Sequence, residues 1–570
     1  MGRESVKRLT LVCACLLLAI SPVRGGARTY YVDQSHSGAS DNNPGVSPAL
    51  PWATIAKAAQ TMMAGDSAYV RGGTYEVTRA GGAPTSEPER FLPALNPSHD
   101  GAPGAPIVFR AHPGETVIIR YAPSEIKRGP LIGSYRRDYI VWDGFTVIES
   151  ATNDQEDTGP VVIFGESFDR AEHVTIRNCD VRSTRVTLSV PYENHPSIRI
   201  EKADDALIEN NTIHGVEGDF LNQAGIQSYF SHNVTIQHNE IYDSYTGIFP
   251  KGGPDEVETG FTIRDNLIHD VVVGIRTSFL QNSALYRNLL YSGGNPSNPQ
   301  LSSSSMGFQF AENLANIDCY NNTLVSFANG AFFPSNDRTE TAGNQSGINL
   351  RSNIFAQVSF PIYDERNTTA MFTSDYNVFA GMAAFIVGYA RRSPDQWLGS
   401  GADVHSIAAD PQFVGAGTRN YQLRPSSPAR RVGIDWGDLN ANGSRTDRIS
   451  AGPYVTGLEV IGPLGKGAPE ARLTDPSRPP LLHAYPNPSS SSVTFTVLVE
   501  GADSTPASIR IFDLGGHWIA DLFNGLIPPG KSSITWPRTN RGGGTVAPGY
   551  YEVLGTVGSQ RVRERIILLP

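Results

Sequence analysis

Two basic residues near the middle of the chain, Lys251 in GIFPKGG and Arg276 in GIRTS, have the side chains that proton abstraction beside a carboxylate requires. In eliminative cleavage of a uronate, a base removes the proton next to the carboxylate, and a cation neutralises that carboxylate so that the carbanion becomes accessible. Lysine serves as the base where a neighbouring guanidinium or desolvation lowers its pKa; arginine keeps its proton and acts as the clamp. Tyr229 and His214 are candidates to protonate the leaving oxygen, and Arg199 and Gln227 to contact substrate. A hydrolase would instead use two carboxylates across the scissile bond, with Glu201, Asp204, Asp205, Glu217 and Asp219 as the pool.

The elements that must position these residues are written in a repeat. A short phrase returns as VTIRNCDV (174 to 181), ALIENNTI (206 to 213), VTIQHNEI (234 to 241), FTIRDNLI (261 to 268), ALYRNLL (284 to 290), DCYNNTL (318 to 324), NLRSNIF (349 to 355) and TSDYNVF (373 to 379). Its Asn column is Asn211, Asn239, Asn266, Asn288, Asn322, Asn353 and Asn377, with Cys179 in the same slot of the earliest copy. Intervals of 32, 28, 27, 22, 34, 31 and 24 residues from Cys179 onward identify a solenoid with loop insertions. One coil cannot bury its apolar face alone, so coils stack and each Asn lies above the last. Asn tolerates a left-handed backbone, and its amide both donates and accepts, which predicts an internal Asn ladder.

A second strand follows each phrase: SIRIE from 197, GIQSY from 225, GIFPK from 247, GIRTS from 274 and GFQFA from 307. With the first residue as zero, positions +2 and +4 share a strand face. The +2 column is Arg199, Gln227, Phe249, Arg276 and Gln309; the +4 column is Glu201, Tyr229, Lys251, Ser278 and Ala311. The polar columns predict an outward face, with the Ile at +1 inward. His214 and His269, in IHG and IHD, recur at one register, which favours a turn role.

The chain has 570 residues, 57 Gly, 40 Pro and only 18% charged residues, a turn-rich β composition. A formal net charge of −10 with no basic run argues against a nucleic-acid partner and leaves an acidic polymer to a local basic patch. Lys7-Arg8, an apolar run from Leu9 to Ile20 and SPVRGGA have the form of a secretory signal, residues 1 to 27, so the mature protein is expected to be exported. Cys179 and Cys319 remain, five coils or roughly 24 Å apart at the strand spacing, and are expected as buried thiols.

TYYVDQSHSGASDNNPG and PWATIAKAAQTMMAGDSAYVRGGTYEV, with a short helix from Ile55 to Met63, resemble the opening of secreted right-handed parallel β-helix proteins of the pectate-lyase-like kind. APIVFRAHPGETVIIR, YIVWDGFTV and DPQFVGAGTRNYQLRPSSPA extend the resemblance over roughly residues 28 to 455. It implies an all-β fold, a right-handed β-helix over 28 to 465 with an N-terminal capping helix, in a family that includes polysaccharide lyases, hydrolases, epimerases and adhesins. Lys251 followed by Gly is similar to the lysine-bearing coil of some of these lyases, which usually bind calcium through clustered acids. Here Glu201, Glu217 and Asp219 are the calcium candidates, and they are scattered along the sequence rather than grouped. Asp438 in DLNANG resembles the start of a calcium loop but reads as a turn, because the twelfth position is Ile449.

After a linker at 466 to 481, residues 482 to 570 read as an Ig-like sandwich. The Pro-Asn-Pro start, IRIFDLGG, the Trp before a Gly-rich turn, PGYY and the basic-apolar end resemble the sorting domain of type IX secretion cargo, which is related to the module of hook-capping proteins. That resemblance implies a secretion-machinery partner and a released or surface-attached product. The reading is of a monomeric polysaccharide lyase acting on uronates. A non-catalytic, adhesin-like glycan binder that stacks sugars on Tyr229, Phe249 and Tyr242 is the alternative, with a β-helix glycoside hydrolase the weaker enzyme reading.

Overall fold

The computed structural model describes residues 26–78, 90–123, 129–149, 158–183, 194–215, 222–294, 299–334, 345–365, 372–440, 444–455, 459–464, 482–485, 492–499, 504–513, 518–528, 530–557 and 560–568. Residues 1 to 25 of the expected signal segment, the expected linker at 466 to 481, and Glu217 and Asp219 lie outside the described residues. The chain divides into two compact units, Met1–Pro463 and Leu464–Pro570.

The first unit is a parallel β-solenoid. Each repeated phrase supplies a strand pairing in parallel with its equivalents one coil before and after. Ile208 faces Ile236, Ile236 faces Ile263, Ile263 faces Leu285, Leu285 faces Cys319 and Cys319 faces Leu350. These side chains stack into one continuous core, all of them almost wholly buried. Cys179 and Cys319 are buried and free, as expected. The helix Ile55–Thr61 covers the first coil with Ile55, Ala58 and Ala59, and Thr54 caps its start by accepting from the Lys57 amide.

The asparagine ladder is continuous. Each Asn amide nitrogen donates to the side-chain oxygen of the next Asn, at 3.0 Å for Asn211 to Asn239 and 3.3 Å for Asn353 to Asn377, and to a main-chain carbonyl such as that of Ile176. The Cys179 amide donates to Asn211 at its upper end. Asn377 donates to buried Asp403 at its lower end. One expectation needs correction: the left-handed residue is the one before Cys179 and before each ladder Asn, namely Asn178, Asn210, His238, Asp265, Arg287, Asn321, Ser352 and Tyr376. The ladder position is filled by Asn for its amide, because the turn is made one residue earlier.

The glycines at 225, 247, 274 and 307 were expected to open a second strand, but they lie inside the strands Ala224–Tyr229, Glu240–Pro250, Leu267–Thr277 and Met306–Phe310. A Cβ at Gly274 would sit 2.3 Å from Leu290 Cδ2 and 2.5 Å from the Gly307 carbonyl, so the chain packs this closely on the next coil only without a side chain.

The second unit has two antiparallel sheets, of three and four strands. Val493, Phe495, Val497, Ile509, Ile511, Val553 and Ile566 share a buried core, the arrangement of a β-sandwich.

Candidate functional site

The two columns form in the expected register. Arg199 pairs with Gln227, Gln227 with Phe249 and Arg276 with Gln309, while Glu201 pairs with Tyr229 and Lys251 bridges to Ser278. Ile198, Ile226, Ile248, Ile275 and Phe308 point the other way into the core. The columns do face away from the core, but much of the face is covered: Arg199, Glu201, Gln227, Phe249 and Gln309 are buried, while Tyr229, Lys251 and Arg276 are partly exposed. Phe91, from the excursion before the third coil, stacks on Phe164 and lies 4.9 Å from the Arg199 guanidinium. Asn194 and Asn222, from the segments that lead into their strands, cover the next stretch.

Lys251 lies at the end of the strand Glu240–Pro250. Its ammonium nitrogen donates to Asn194 Oδ1 at 3.0 Å, to the Tyr229 hydroxyl at 3.2 Å and to Asn222 Oδ1 at 3.4 Å. Tyr229 in turn donates its hydroxyl proton to Asn194, and the Gln227 amide reaches the same oxygen at 3.5 Å. The Lys251 nitrogen lies 5.1 Å from the Tyr229 ring and 5.6 Å from the Phe249 ring, within cation–π range of both. Arg276, one coil on, lies 4.9 Å from that same Phe249 ring and donates to Gln309 at 2.8 Å. Phe249 is thus the floor shared by the two basic groups. The Gly after Lys251 has a packing reason: a Cβ at Gly252 would meet the Phe279 carbonyl at 2.4 Å.

Arg199 is an anchored guanidinium. It lies between the rings of Phe91 and Tyr229, 4.3 Å from the latter, and its Nε donates to Glu201 at 2.9 Å. Glu201 is further approached by Lys202 at 3.9 Å. Its charge is therefore spent on Arg199, and among the described residues no three acidic, histidine or cysteine side chains gather as a metal cage. The other two calcium candidates, Glu217 and Asp219, lie outside the described residues. Of the hydrolase pool, Asp204 is gripped by Arg170 at 2.7 and 2.9 Å.

His214 does not join this cluster. It belongs to the strand that directly follows the ladder, hydrogen-bonds Asp180 at 3.1 Å and opens a stack of rings through Tyr242, His269 and Tyr291 spaced by 4.9 to 5.1 Å. The recurrence of His214 and His269 reflects that stack. Rings that cover one another's faces offer no platform to a sugar, so Tyr242 is likewise taken up by packing. Asn194 and Asn222 escaped the strand-based reading, yet each stands three residues ahead of its window, in two successive coils.

A model of the right-handed β-helix region matches residues 164–370. The uncharacterized protein YwoF of Bacillus subtilis (strain 168) is 23% identical over 475 residues, covering 69% of this chain and 91% of that protein. Similar solved structures include XylC in complex with xylose (11% identity, 89% of this chain and 100% of that one, TM-score 0.42). The pectate lyase Pel9A is also similar (15% identity, 76% and 97%, TM-score 0.43), as is a rhamnogalacturonan lyase (15% identity, 70% and 95%, TM-score 0.37). The chain is a right-handed parallel β-helix protein in fold.

Proposed function

We propose that this chain cleaves a uronate-containing extracellular polysaccharide by β-elimination. The observation that carries the reading is the placement of Lys251 and Arg276 over one Phe249 ring, with the Tyr229 hydroxyl 3.2 Å from the lysine nitrogen. Arg276 neutralises the uronate carboxylate, which acidifies the adjacent C5 proton. Lys251, as the neutral amine, takes that proton. The electrons of the C5–H bond form the C4–C5 double bond, the C4–O bond breaks, and Tyr229 protonates the departing oxygen. Asn194 and Asn222 fix the direction of the lysine, and the hydrogen bond from Tyr229 to Asn194 orients the phenol.

Cleavage in 18O-labelled water separates the enzyme readings. Elimination leaves an unsaturated sugar end and incorporates no 18O, whereas one 18O atom at the new reducing end would mean hydrolysis and overturn the mechanism. Retained glycan binding with no cleavage of pectate, alginate or glycosaminoglycans would leave the binding-module reading. The signal-like N-terminal residues and the sorting-like C-terminal residues support action at the cell surface or beyond, with the secretion machinery as a second partner.

A further inference from the structure

One interior column of the solenoid departs from its neighbours. Ala171 pairs with Ala203, and Glu258 pairs with Leu280. The bridges from Asp204 to His232 and from His232 to Thr259 put Ser231 between them. The column therefore reads Ala171, Ala203, Ser231, Glu258 and Leu280, a carboxyl among small and apolar residues. Glu258 has no exposed surface. It lies within 3.0 Å of the Ser228 hydroxyl, accepts from the Ser231 amide at 3.3 Å, and is reached by the Lys251 main-chain amide. An apolar residue would fill such a position without the cost of burying a carboxyl.

We propose that Glu258 is a positioning residue for Lys251, a neutral carboxylic acid that ties the root of the lysine to the preceding coil from inside the solenoid. This rests on the reading of Lys251 as the working amine. Ser228 is the residue next to Tyr229, and its carbonyl accepts from the Lys251 amide at 3.1 Å, so one carboxyl braces both the base and the acid of the reaction. The charged and titratable groups on the packed segments are Lys251, Tyr229 and Glu256, the last already held by Arg170 and His232. Burial pushes the Glu258 carboxyl well above the usual carboxylate range, and the Glu256 charge adds to the effect. A folded-state pKa above the unfolded one means stability is full at low pH and falls as pH rises through the folded value.

The test compares Glu258→Gln, Glu258→Ala and wild type in the full chain. E258Q mimics a neutral acid, so it is expected to fold, to keep kcat and KM within about twofold, and to lose the decline in melting temperature that wild type shows as pH rises from the ordinary carboxylate range through the folded Glu258 value. E258A is expected to lower kcat at least about tenfold with KM little changed. Infrared difference spectra of wild type minus E258Q at pH 7 should contain a protonated carboxyl band. Absence of that band, or E258A with wild-type kcat in an active enzyme, overturns the proposal. If wild type cleaves no uronate polymer, the functional reading fails separately, and the Lys251 signal of 13C-methylated protein, assigned with Lys251→Arg, still decides. The proposal requires that signal to move in E258A and not in E258Q, and a signal unmoved in E258A contradicts it.

Discussion

Along the asparagine ladder each buried amide finds its partner in the same residue type one coil away, whereas around Lys251 the partners are of mixed types and come from different stretches of chain. The ladder is closed at both ends, by the Cys179 amide and by Asp403. The Lys251 face draws on Asn194 and Asn222 from two entry segments, Tyr229 from the coil before and Phe249 from its own strand. Repetition satisfies polar groups cheaply and yields a scaffold. Breaking the repetition costs regularity, and the break coincides with the residues whose chemistry the fold does not need.

The comparison is broken most severely from the ladder side. Asn288→Ala would orphan the main-chain and amide donors of Asn266 together with the Ile263 carbonyl, and a loss of about 4 kcal/mol is expected in chemical unfolding. On the other face, Arg199→Ala leaves Glu201 buried beside its lost partner and should cost about 3 kcal/mol, while Arg199→Met combined with Glu201→Leu recovers most of it. Gly274→Ala, which drives a methyl into Leu290, is expected to cost about 2 kcal/mol without changing KM. His214→Ala should cost about 1 kcal/mol through its stack and leave kcat within about twofold; a large kcat loss would restore it as a proton donor. The smallest effect is at the ladder's end. Burial raises the Asp403 carboxyl above its ordinary value, so its contribution is full at low pH and declines as pH rises through the folded value. Asp403→Asn should flatten that decline, read as melting temperature against pH.

What the sequence discloses follows from this contrast. The strand register, the two columns and the inward Ile set were legible because a period of two within strands and one coil between them leaves little freedom. The ladder was legible because the same residue type recurs. The covering of the columns was not, since Phe91 belongs to an excursion with no period and reaches Arg199 only in the folded chain. Polar residues were expected at a wet surface, whereas Arg199 and Glu201 are polar because they satisfy each other in a dry one. The residue that makes each ladder turn varies among Asn, His, Asp, Arg, Ser and Tyr, so composition did not single it out. Glu258 gave no sign because its column is visible only through bridges between coils.

The central claim is that Lys251 is a base and not a brace. The most direct test follows the ultraviolet absorbance of unsaturated product on pectate, alginate and glycosaminoglycans, with wild type beside Lys251→Ala and Lys251→Arg. Product from wild type, with both variants reduced by at least about a thousandfold while still folded and still binding glycan, is the predicted result. Lys251→Arg retaining wild-type turnover would contradict it, because a guanidinium holds the same hydrogen bonds but cannot give up its proton.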